Sequence, residues 1–145
     1  MRKLALSLCA MWALGAVAAL AAEDGAATVR FEAVSIFIDS KEQSLAAWQI
    51  ELTAKGGDVK IVGIEGGEHP AFKEPPYYDP AALNNNRVII AAFNTGRDLP
   101  TGRTRVARVH VQVSGNPEYQ LRLIVAANAD GKEISAIVSQ GELSK

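Results

Sequence analysis

Two histidines and a group of carboxylates are the residues in this 145-residue chain that could do chemistry. His69 opens the stretch HPAFKEPPYYDP, residues 69–80, and Glu65, Glu68, Glu74 and Asp79 lie in or beside it. Two carboxylates held about 5 to 10 Å apart across a glycosidic bond would serve acid–base hydrolysis. His69 with Glu65 or Glu68 would make part of a metal site if the loop folded back, but the second histidine, His110, is 41 positions away and that is no zinc spacing. No Gly-x-Ser-x-Gly is present, and no Gly-rich loop introduces a helix. His110 falls on the polar face of a valine strand and reads as an ordinary surface residue. NADGKE, 128–133, offers oxygens from Asn128, Asp130 and Glu133, but an EF-hand loop is longer and ends in a bidentate glutamate. Its Asp-Gly pair reads as a turn. The expectation is a protein that is not an enzyme, with no catalytic residue, no metal ligand and no cofactor; a small hydrolase using loop carboxylates such as Glu68 and Asp79 is the lesser alternative.

The same stretch is better suited to recognition. It holds four prolines and three aromatics where the surrounding sequence alternates apolar and polar residues. Pro75-Pro76 stiffens it in an extended form. Asp79 followed by Pro80 reads as a helix N-cap and first position. Phe72 should pack down. The adjacent Tyr77 and Tyr78 should point opposite ways, one onto the core and one into water. Two roles compete and can share these residues: a lid over a sheet edge or sandwich end, and a contact surface. Aromatics on a stiff segment bind at low entropic cost and are favoured at interfaces. The candidate binding residues are His69, Phe72, Tyr77, Tyr78, Asn85 and Arg87. A polysaccharide is the alternative ligand, stacking on Tyr77 or Tyr78 with Asn84, Asn85, Asn86 or Arg87 as hydrogen-bond partners.

The elements that must position these residues follow a leader. Residues 1–22 carry Arg2 and Lys3, an apolar run and Ala19-Leu20-Ala21, the pattern of a cleaved secretory signal peptide. Residues 23–28 read as a flexible leader, 29–140 as one domain and 141–145 as a C-terminal tail. Cleavage removes the single cysteine, Cys9, so disulfides and thiol chemistry are excluded from the mature domain. It also leaves 13 of the 15 basic residues against all 16 acidic ones, a formal charge of −3. With no basic block, nucleic acid is an unsuitable partner. The expected location is the periplasm or the extracellular space of a bacterium, with no membrane contact after cleavage.

Strand patterns cover most of the domain. VRFEAVSIFID (29–39) is rich in β-branched and aromatic residues. AAWQIELTA (46–54) alternates, with Trp48, Ile50 and Leu52 on one face. VKIVGIE (59–65) follows a Gly-Gly turn. RVIIAAFNT (87–95) is apolar on both faces and needs cover on its second side. RVARVHVQV (105–113) turns its valines inward. YQLRLIVAA (119–127) places Tyr119, Leu121, Leu123 and Val125 together, and EISAIVS (133–139) reads as the last strand. At least seven strands with regular turns and no long helix predict an all-β sandwich.

The order of these segments resembles the cohesin domain. TVRFEAVSIFID then AAWQIELTA is similar to the opening strands of that family, and KIVGIEGG to the strand that follows. RVIIAAFNTGRDLPTGRTRVARVHVQV is similar to its most recognisable block, with Leu99-Pro100-Thr101-Gly102 as the L-x-x-G segment. The resemblance runs from about Val29 to Ile137. It implies a cohesin-like jelly-roll β-sandwich of about eight to nine strands. It also implies a non-enzymatic module for protein–protein recognition, as cohesins grip dockerin modules through one sheet face. The chain departs from the scaffold pattern in having no tandem copy and no dockerin-like calcium repeat, so the expected partner is an envelope or extracellular protein of unspecified type.

Overall fold

Alternating apolar side chains can be buried on one face of a strand only if a second layer covers them. The computed structural model describes residues 27–145; the signal peptide expected over 1–22 and most of the leader over 23–28 lie outside the described residues. Among the described residues, eight strands form two four-stranded antiparallel sheets. They are β1 (Arg30–Asp39), β2 (Ala47–Lys55), β3 (Asp58–Gly66), β4 (Tyr77–Tyr78), β5 (Arg87–Phe93), β6 (Arg103–Ser114), β7 (Glu118–Ala127) and β8 (Ile137–Gln140). One sheet has the order β3-β6-β1-β8 and the other β4-β5-β2-β7. Every connection except β4–β5 therefore crosses between sheets. The fold is an all-β sandwich.

The core lies between the layers. Trp48, Ile50 and Leu52 of β2 meet Val34, Ile36 and Ile38 of β1 and the buried valines of β6, all almost fully enclosed. The Gly56–Gly57 link, with both φ angles positive, takes the chain from one sheet to the other in two residues. The tail is tied down as well: Ala33 and Ser144 exchange backbone hydrogen bonds at 2.8 and 3.3 Å, and the Gly141 N–H donates to Ser35.

Three expectations are corrected by irregularities that sequence period does not show. Val125 was expected to face the core with Leu123, but the β2–β7 register shifts between Gln49 and Ile50. Leu123 stays opposite Ile50, Val125 falls opposite Gln49, and Ala126 takes the buried place opposite Trp48. A bulge inserts one residue and reverses the phase beyond it. The last strand begins at Ile137, not at Glu133. Glu133 bridges Ala127 and the Ile134 N–H donates to Ala126 at 2.8 Å, so this segment follows the edge of one sheet before crossing to β1. RVIIAAFNT stops at Phe93, because the Asn94 side chain turns away to bond the Ala71 carbonyl.

Residues 67–86 bridge β3 and β5 and carry two single turns of 3-10 helix, Pro70–Phe72 and Pro80–Ala82. Each starts as the sequence indicates, with a side-chain cap and a proline. His69 Nδ1 accepts from the Ala71 N–H at 3.1 Å, and Asp79 Oδ1 from the Ala81 N–H at 2.9 Å. Phe72 is buried in edge-to-face contact with Trp48, centroids 6.0 Å apart. The segment then pairs as β4 with β5 and protects that edge.

The segment can lie this close because of a glycine. A Cβ on Gly66 would meet the Lys73 and Glu74 carbonyl oxygens at 2.1 and 2.4 Å. Gly66→Ala is expected to destabilise the domain by about 1–3 kcal/mol in denaturant titration, as overpacking against backbone does. Gly63→Ala, whose Cβ meets nothing nearer than His110 Cβ at 4.0 Å, should stay close to the parent value. Equal losses in the two variants would show that the segment does not depend on this approach.

Candidate functional site

The two sheets turn different outer faces to solvent. On the β3-β6-β1-β8 sheet Arg103, Arg108 and His110 are engaged within their own layer, while Lys60 is exposed. Arg103 lies over the Phe37 ring at 3.6 Å, Arg108 Nε donates to Ser35 Oγ at 3.4 Å, and His110 Nε2 is 3.0 Å from Glu65 Oε1. The β4-β5-β2-β7 sheet leaves more of its chemistry unspent.

Cross-strand register sets the rows of that second face. Phe93 neighbours Ala47 and then Ala127. Tyr77 neighbours Ala91, then Gln49, then Val125. Ile89 neighbours Glu51, then Arg122, and Arg87 neighbours Thr53. One end is thus aromatic. Tyr77 and Phe93 are 70% and 64% exposed, yet their rings are nearly parallel, at 14° with centroids 6.1 Å apart. Each ring limits the freedom of the other before any ligand arrives.

The other end is ionic. Glu51 is bracketed by two arginines from the flanking strands. Arg87 Nε donates to Glu51 Oε1, and Arg122 donates to Oε2 through Nη2 and, at 2.8 Å, through Nε. The Glu51 side chain is 13% exposed, whereas Arg87 and Arg122 are 55% and 64% exposed. Hydrogen bonds from Arg122, then from Arg87, hold the Glu51 carboxyl below its usual value of 4.5.

The residues proposed from sequence divide into two groups here. Tyr77 and Arg87 lie on this face. Tyr78 points the other way and packs against the core, as neighbouring strand residues must. Phe72 is buried beneath the segment. His69 caps a turn, and because Nδ1 accepts, its ring proton sits on Nε2, 3.7 Å from Asp98. Asn85 braces the corner: its Nδ2 donates to the Ala81 carbonyl at 2.7 Å and its own carbonyl accepts from Ile61. Phe93, Glu51 and Arg122 were not singled out from the sequence. For Phe93 a signal existed, since it occupies the outward phase of a strand apolar on both faces.

Three of the four carboxylates weighed for chemistry have separate partners, and Glu74 is exposed. Glu68 Oε1 accepts the Arg105 N–H at 2.8 Å, Asp79 caps its turn, and Glu65 faces His110. Among the described residues no group of three or more His, Cys, Asp or Glu side chains could hold a metal. An open hollow lined by Asp79, Asn85, Arg87 and Ile89 adjoins the ionic end of the face.

No protein-family model, curated protein or solved structure matches this chain. Fold and site geometry therefore define its class: an all-β sandwich with one outer sheet face aromatic at one end and arginine-bearing at the other.

A carboxyl whose pKa is depressed by folding contributes stability that is present above its unfolded value and lost as pH falls through the folded one. For Glu51 that window opens near 4.5 and extends downward. Unfolding free energy measured from about pH 5 to about pH 2 should fall less steeply in Glu51→Gln than in the parent. Parallel curves would remove the two arginines as the cause of the depression.

Proposed function

We propose that the mature domain is a non-enzymatic binding module, recognising a protein partner in the cell envelope or outside the cell through the outer face of the β4-β5-β2-β7 sheet. The observation that carries this reading is the exposed, mutually ordered Tyr77–Phe93 pair on a strand scaffold. Aromatic rings contribute large contact area, and pre-ordering lowers the entropy lost on binding. The half-buried Ile89 and Ala91 extend the apolar surface from this pair toward the arginines. The order of segments along the chain, similar to that of cohesins, supports the same reading, since those domains bind through a sheet face. A periplasmic or secreted location rests on the signal peptide pattern of residues 1–22.

The near-parallel ring pair favours one second reading, a polysaccharide chain stacked on Tyr77 and Phe93. Arg87 and the neighbouring hollow would then supply hydrogen bonds.

Both readings are tested with residues 23–145 immobilised beside Tyr77→Ala and Phe93→Ala versions, with circular dichroism confirming that all are folded. From envelope and supernatant fractions the parent should retain a specific protein, and each variant should bind it about tenfold or more weakly. Retention on glycans in place of protein, lost in the same variants, would select the polysaccharide reading. Equal retention by all three versions would remove this face as the site.

A further inference from the structure

We infer that Arg87 and Arg122 form a receptor for a carboxylate on the protein partner, whose contact segment carries an acidic side chain beside an apolar anchor. This rests on the reading of this sheet face as a protein-binding surface.

The charges leave the receptor unfilled. Glu51 neutralises one of the two guanidiniums, so these three side chains keep a net charge of +1, while the Asp79 carboxylate lines the hollow beside Arg87 without an ion pair to it. Both Glu51 oxygens are engaged. Among the described residues the two guanidiniums make no other hydrogen bond, so both Nη groups of Arg87 and Nη1 of Arg122 keep their donors. Those groups belong to the exposed partners of the cluster, not to its enclosed carboxylate. A guanidinium offers a planar fork that matches a carboxylate. Glu51 holds Arg87 through Nε and Arg122 through Nε and Nη2, which narrows the orientations open to each guanidinium in the free protein.

The spacing sets the second part of the motif. From Arg87 to Ala91, beside Tyr77, is four residues of one strand, about 13 Å. Ile89 lies between, half-buried and apolar. An extended peptide with an acidic side chain and an aromatic or branched aliphatic one about four residues apart would span the two ends and cover Ile89. A uronic-acid chain would satisfy the arginines but leave that apolar strip without a complementary surface.

The test is a selection of random phage-displayed peptides on immobilised residues 23–145, with the recovered peptides synthesised and titrated. Recovered sequences should carry Asp or Glu at about that spacing from an aromatic or branched aliphatic residue. Arg87→Gln and Arg122→Gln should each weaken them about tenfold. Arg→Lys at the same positions should recover part of the loss, and circular dichroism and melting curves should confirm that every variant is folded. Peptides without acidic residues, or peptides lost in Tyr77→Ala but unaffected by both arginine changes, would overturn the receptor and leave the face reading standing. Peptides unaffected by all three changes would overturn both. Failure to recover any peptide, or binding of uronate-bearing glycans in place of peptides, would overturn the protein segment as the occupant.

Discussion

The contact between Trp48 and Phe72 is the constraint on which the candidate face depends. Trp48 belongs to a central strand and sits almost wholly inside the sandwich. Phe72 belongs to the segment that interrupts the strand pattern, and its burial against Trp48 ties that segment to the core. The indole N–H has no hydrogen-bond partner among the described residues, so the contact acts through shape and apolar area. Once Phe72 is seated, the Asn94 side chain reaches Ala71 and the Gly67 N–H reaches the Phe72 carbonyl. β4 is then delivered to the edge of β5. Tyr77 faces outward because Tyr78, its neighbour on a strand, faces the core. One buried ring thus fixes the direction of an exposed one.

The strands were legible because burial on one face imposes a period of two, which survives through β2 and, in β6, from Ala107 onward, after a shift that buries Val106 and Ala107 side by side. It fails where the backbone inserts a residue. The shift opposite Gln49 in β7 moves Val125 out and Ala126 in. A similar shift between Ile61 and Gly63 puts Ile64, and not Gly63, in the inward place on β3. Both local sequences are apolar on either side of the bulge, so composition carries no mark of the change in phase. Residues 133–139 mislead for another reason. The segment has the composition of one strand, but its first part borders one sheet and its second part pairs in the other. Single-sequence periodicity reads extended backbone without reading which sheet receives it.

For the candidate face, the stiff aromatic segment was visible in composition and its capping chemistry in short motifs. The partners of Tyr77 and Arg87 were not. Phe93 is sixteen positions from Tyr77 along the chain and meets it only through the pairing of β4 with β5. Glu51, Arg87 and Arg122 come from three strands that pairing places side by side. Such juxtapositions follow from register, and the turns and bulges that set register are the least readable features of this chain. His69 and Asn85 mark the converse case. Their residue types suit ligand contact, yet the structure uses them to close turns in the backbone.

The two outer faces show how similar residues acquire different roles. On the β6 side, arginines lie over a ring or reach a hydroxyl within the same layer. On the β2 side, two arginines share a single carboxylate, and a surface ion pair of this kind adds little to stability on its own. The second cation adds less than the first, because the mutual repulsion of the two arginines offsets part of its attraction to Glu51. A second carboxylate placed across the exposed side would balance the charges and use the remaining donors. Supplied by a partner, it would complete the network only in the complex. Under the proposed reading, the arrangement is a surface that a partner's counter-charge completes, next to the Tyr77–Phe93 pair.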